Sequence, residues 1–109
     1  MQISNSSDFI GGWFIGNFTP TLNKCDEFEV AIKYYNQGDK EWRHLHKLAI
    51  EYTVIAKGKV KMNGIIINEG QIVKIDKNES TDFEVLEPTI TFVIKTPSVN
   101  NDKYILDNE

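Results

Sequence analysis

Both histidines of the chain fall in one tripeptide, His44-Leu45-His46, and Glu51 follows five residues later. In an extended strand alternate side chains point the same way, so the two imidazoles project from one face about 7 Å apart along the backbone, at roughly 3.3 Å per residue. Two imidazoles placed like this can share one ion. A carboxylate on a neighbouring strand completes a set of two nitrogens and one oxygen, which Fe(II), Mn(II), Ni(II) or Zn(II) accepts with positions left open for water or substrate. The other reactive residue types are poorly placed. Cys25, the only cysteine, has Lys24 on one side and Asp26 and Glu27 on the other, so no net positive surrounding marks it as a nucleophile. Gly11, Gly12 and Gly16 precede no strand-to-helix turn that would cradle a phosphate. No arrangement of Ser, His and Asp suggests a hydrolytic triad.

The elements that position these residues read as strands. Phe28, Val30, Ile32 and Tyr34 alternate with Glu27, Glu29, Ala31, Lys33 and Tyr35, which predicts one apolar face, turned inward and including Tyr34. Trp42, His44 and His46 share a face of the next strand. Residues 51–56 are β-branched and aromatic, and 59–67 read as a hairpin turning at Asn63-Gly64, since both central residues of a type I′ turn need positive φ. Residues 71–75 form a short strand, and 81–86 and 89–96 two more, separated at Glu87-Pro88. No segment has the period of an amphipathic helix. Seven to ten short strands with Gly, Asn and Pro between them predict an all-β sandwich or barrel of Greek-key or jelly-roll type.

With 109 residues, 40% of them hydrophobic, the chain suits one domain, expected over residues 12–109 behind a loose polar arm at 1–11. Twelve Lys and Arg against 16 Asp and Glu give a net charge of −4, which offers no footprint for nucleic acid or an anionic membrane. The single cysteine and the polar N-terminus predict a cytoplasmic protein. A homodimer is expected, because Trp13, Phe14, Ile15 and Phe18 carry apolar surface that a free arm would leave exposed.

The spacing Gly38, His44, His46, Glu51, Gly58 matches every specified position of G-x5-H-x-H-x4-E-x6-G, the first motif of the cupins, which the sequence resembles over roughly residues 28–96. The resemblance implies a double-stranded β-helix, a jelly-roll barrel with a metal or ligand site inside one mouth. It makes His44, His46 and Glu51 the expected ligands, with Tyr34, Trp42, Thr53, Thr81 and Phe83 lining the pocket. The second motif, G-x5-P-x-G-x2-H-x3-N, is degraded: counting from Gly70, Asp76 replaces Pro, Asn78 replaces Gly, Thr81 replaces the fourth ligand His and Val85 replaces Asn. If Thr81 faces inward, Phe83 and Val85 do too, while Asp82 and Glu84 face out. Segments such as Gly12–Phe18, His46–Ile55 and Lys95–Ser98 further resemble short single-domain cupins of bacteria and phages, often encoded near sugar-nucleotide or surface-polysaccharide genes. The resemblance thus implies a pocket for one divalent metal and a small polar metabolite, such as a sugar or sugar-nucleotide. Isomerase or epimerase chemistry and dioxygenase chemistry both fit it. The alternative is a metal-free, non-catalytic ligand-binding or assembly module, which the missing fourth ligand favours.

Overall fold

The computed structural model describes residues 1–106, so the last three residues of the expected domain lie outside the described residues. Two short 3-10 turns, Ser6–Asp8 and Ile10–Gly12, lead into eight strands: β1 (Trp13–Ile15), β2 (Glu29–Tyr35), β3 (Lys40–His46), β4 (Ile50–Met62), β5 (Ile65–Asn68), β6 (Ile72–Ile75), β7 (Thr81–Thr96) and β8 (Lys103–Ile105). All pairings are antiparallel. No helix among the described residues is long and apolar enough to cross a membrane.

Two strands are longer than the sequence suggests. The breaks expected near residues 57–58 and at Glu87-Pro88 are bends inside β4 and β7, which pair with each other from Ile50↔Thr96 to Lys61↔Glu84. The register between them slips at Ile55/Lys57, Lys57/Lys59 and Lys59/Val60. Proline lacks a ladder donor and is tolerated at such bulges. Opposite it stands Gly58, at φ +99°, where a Cβ would overlap the Pro88 carbonyl and Thr89. Glycine permits both the left-handed backbone and the close crossing. The turn after β4 is as expected: Asn63 and Gly64 have φ of 51° and 77°.

The bend folds the sheet over on itself. The N-terminal half of β4 and the C-terminal half of β7 lie between β6 and β2, with β1 at the edge. Their other halves lie between β5 and β3, with β8 at the edge. The two layers enclose an interior with two characters. Ile55, Val60, Met62, Ile75, Phe83 and Val85 form the apolar core, with Tyr35, Ile67 and Val73 packed against it. The rest of the interior is richer in polar groups, with His44, His46, Thr53, Thr81 and Thr91 buried alongside Ala31 and Val93. The expected inward register at 81–85 holds, since Thr81, Phe83 and Val85 are all buried.

The expected phase of β2 is reversed. Glu29 and Ala31 are buried and Lys33 and Tyr35 are half-buried, whereas Tyr34 is 62% exposed. Alternation identifies two faces of a strand but not which one is inside, and here the interior beside β2 is polar. Val30, Ile32 and Tyr34 instead continue an outer apolar surface, pairing with Ile94, Phe92 and Ile90 of β7. Trp42 departs from expectation too. It is 70% exposed although His44 and His46 are buried. A register irregularity between Glu41 and His44 breaks the alternation, so Glu41 and the histidines face in while Trp42 faces out.

Candidate metal centre

His44 and His46 come from β3 in one layer, and Glu51 from the start of β4 in the other. The imidazole centroids are 5.5 Å apart. One ligand atom from each of the three residues lies within 4.8 Å of the others, and among the described residues this is the group of three or more such side chains arranged to hold an ion. Donors about 2.1 Å from a shared ion stand roughly 3 to 3.5 Å apart, so side-chain rotations of about an ångström bring the three onto one ion.

The ligands are oriented by their neighbours. The Nδ1 of His44 stands 2.9 Å from the Trp42 carbonyl, which can only accept a hydrogen bond. That contact assigns the Nδ1–H tautomer and leaves the Nε2 lone pair for a ligand. His46 is 5% exposed, and its Nε2 is buried with no hydrogen-bond partner. A buried polar atom without a partner is costly, and a metal bond would satisfy it. Burial, followed by the charges of Lys95 and His44, lowers the pKa of His46 to about 4. The ring is therefore neutral at neutral pH, as a ligand must be. Its Nδ1 lies 3.8 Å from Oε1 of Glu51, whose Oε2 accepts a 2.8 Å hydrogen bond from the Thr53 hydroxyl. Thr53 thereby fixes the carboxylate.

These residues line a cavity of about 220 Å³. Of the expected lining, Thr53, Thr81 and Phe83 are present, and Thr81 pairs directly with His44. Tyr34 and Trp42 are not; Tyr35 and Glu41, one residue away from each, take their places. The Tyr35 hydroxyl donates to Oε2 of Glu41 at 3.0 Å, and burial, reinforced by that carboxylate, pushes the phenol up from its ordinary pKa. Lys33, Lys95, Lys103 and Trp13 complete the polar wall. Lys33 and Tyr35 lie on the face of β2 opposite the apolar row, and no residue of the strand itself marks that face as the inner one. Asp102, which ties down the loop between the ligands, carries no local signal: its partners are the amides of Lys47, Leu48 and Ala49.

No family model matches the sequence, and no curated protein matches it. Solved structures do match. A conserved protein with a double-stranded β-helix domain from Klebsiella pneumoniae is 14% identical, with a TM-score of 0.71 over 98% of this chain and 93% of that one. A DMSP lyase from Ruegeria pomeroyi is 16% identical, with a TM-score of 0.73 over 89% of this chain and 52% of that one. An RmlC-like cupin from Shewanella frigidimarina is 14% identical, with a TM-score of 0.63 over 71% of each chain. At such identities the likeness concerns the fold. The likeness to these structures, one described as having a double-stranded β-helix domain and one as an RmlC-like cupin, together with the long bent strands β4 and β7, gives this chain the double-stranded β-helix fold.

Proposed function

We propose that the protein binds one divalent transition metal through His44, His46 and Glu51 and receives a small polar metabolite in the cavity beside it. The observation that carries this reading is the convergence of three donor atoms within 4.8 Å inside a cavity, where the His46 ring also carries a buried nitrogen without a hydrogen-bond partner. Three protein ligands leave positions for a substrate oxygen, which suits Lewis-acid chemistry of the isomerase or epimerase kind and oxygen activation alike. A sugar or sugar-nucleotide is the proposed ligand class. The cavity of about 220 Å³ fits only its reacting end, and an adjoining one of about 440 Å³ shares Trp13, Lys95 and Lys103 with it. Protein purified without tag or chelator is expected to carry close to one Fe, Mn, Ni or Zn per chain by elemental analysis. One observation favours the metal-free binding module: Thr81 stands opposite His44 where a fourth ligand would be. Protein that stays metal-free after incubation with each ion would establish that alternative.

We also propose a homodimer, on different residues from those the sequence suggests. Trp13, Phe14, Ile15 and Phe18 are half-buried in the chain's own fold. The outer sheet surface instead exposes Tyr34, Phe92 and Ile72, at 62%, 38% and 65%. Covering such side chains by a two-fold mate removes apolar area from water. Light scattering at tens of micromolar (on the order of 0.5 mg/ml) is expected to give twice the chain mass; a monomer mass refutes it.

A further inference from the structure

The cavity that holds the triad also gathers three ammonium groups, Lys33 of β2, Lys95 of β7 and Lys103 at the start of β8. Two are answered by carboxylates. Lys95 Nζ lies 3.2 Å from Glu29, and Lys103 Nζ lies 3.7 Å from Glu41. Lys33 has no ion pair among the described residues. It donates one hydrogen bond, at 2.9 Å, to the Gly11 carbonyl and stands 5.1 Å from the centre of the Trp13 ring. Lys95 Nζ lies 4.9 Å from the same ring, so two cations share contact with one indole. An ammonium has three protons to donate, and a half-buried one is costly when its charge goes unanswered. Burial accordingly holds Lys33 below the usual lysine range, although Glu41 pulls the other way. Three lysines thus face three carboxylates, Glu29, Glu41 and Glu51, but Glu51 belongs to the triad, and Lys33 is the one of the three lysines with no carboxylate within ion-pair distance among the described residues.

We propose that, among small polar metabolites, the cavity selects those that carry a carboxylate beside a hydroxyl, from small hydroxy acids to the acid end of a sugar acid, the carboxylate being received by Lys33 and Lys95 beside Trp13 while the hydroxyl faces His44, His46 and Glu51. The hydroxyl contact rests on the metal reading above; the carboxylate contact does not. An incoming carboxylate would give Lys33 an anion at ion-pair distance and accept charge-assisted hydrogen bonds from donors already in place. The cavity volume of about 220 Å³ confines the acid to a few carbons or to the acidic end of a longer chain. Glu41 attracts Lys33 from a distance, but its close contacts are with Tyr35 and Lys103, so the Lys33 ammonium keeps donors for an incoming anion.

The test compares glycolate with glycolamide, which share a frame and differ in charge. Each is titrated by calorimetry into Zn(II)-loaded and metal-free protein. Glycolate is expected to bind about tenfold or more tightly than glycolamide, the size of one charge-assisted hydrogen bond. Lys33→Met is expected to abolish that preference, and Lys33→Arg to retain most of it. Zn(II) affinity is expected not to fall in either variant, because Lys33 is not a ligand and a cation beside the site opposes the ion rather than holding it. Lys33→Met gives up the hydrogen bond to Gly11 and the contact with Trp13 but no ion pair, and its melting curve is recorded beside that of Lys33→Arg to separate loss of fold from loss of preference. Equal binding of acid and amide, or an undiminished preference in Lys33→Met, overturns the proposal. If Zn(II) itself does not bind, the metal reading fails separately, and the preference of the metal-free protein decides the carboxylate contact.

Discussion

Replacing His44 by Ala is expected to weaken Zn(II) binding by about a hundredfold or more, whereas Thr81→His strengthens it by about tenfold or more. Loss of a residue that merely orients a ligand commonly costs ten- to a hundredfold, about the least that loss of a ligand should cost. His44 is 8% exposed and already fixed by the Trp42 carbonyl, so little ordering remains to be done when the ion arrives. Thr81 is 6% exposed, lines the same cavity and is the cross-strand partner of His44. Directly opposed residues on antiparallel strands have Cβ atoms about 5 Å apart, which puts a new imidazole within reach of the same ion. The cavity of about 220 Å³ that Thr81 itself lines supplies room for the ring. Titration calorimetry with Zn(II) and Ni(II) at neutral pH reads both variants. Opposite shifts locate the ion between β3 and β7, and two unchanged affinities would place it elsewhere or nowhere.

The parts of this arrangement that sequence makes legible are those set by short-range spacing. His44 and His46 face the same way because they are two residues apart on one strand, and Glu51 follows across a tight connection. The inward register of Thr81, Phe83 and Val85 was also readable, because two of the three are apolar and their intervening neighbours are acids. Phase was not readable in β2, where the apolar row of Val30, Ile32 and Tyr34 faces outward and the polar row lines the cavity. A polar interior reverses the usual meaning of alternation, and nothing within those seven residues says so. Trp42 shows a second limit: one irregularity in pairing turns the side chain out, and bulges depend on the partner strand as much as on the local sequence. Lys33 and Lys95 illustrate a third. A lysine in an alternating strand reads as solvated, and only the closed barrel places two of them around one indole.

Asp102→Ala is expected to lower stability by about 3 kcal/mol, and the melting temperature by about 12 °C or more. Asp102 is 4% exposed and its carboxylate accepts from three consecutive amides: Oδ1 from Lys47 and Leu48, at 3.0 and 3.1 Å, and Oδ2 from Leu48 and Ala49, at 3.1 and 3.0 Å. These amides form the connection between His46, the last residue of β3, and Ile50, the first of β4. Removing the carboxylate leaves them unpartnered beneath Ala49, which is 2% exposed. Asp102→Asn keeps the shape but turns an NH2 group toward amide donors, so about half the loss is expected there. Because the clamp fixes the spacing of His46 and Glu51, Zn(II) affinity measured well below the melting transition is expected to fall about tenfold in both variants. Val85→Ala, in the apolar core, serves as the control. It too lowers the melting temperature, by roughly 2 kcal/mol of lost packing, but leaves the ligands where they are and the Zn(II) affinity unchanged. An Asp102→Asn protein that melts and binds Zn(II) like wild type would show that the carboxylate does not hold the connection in place. A loss of metal affinity in Val85→Ala as large as in Asp102→Ala would instead trace the effect to general loosening of the barrel.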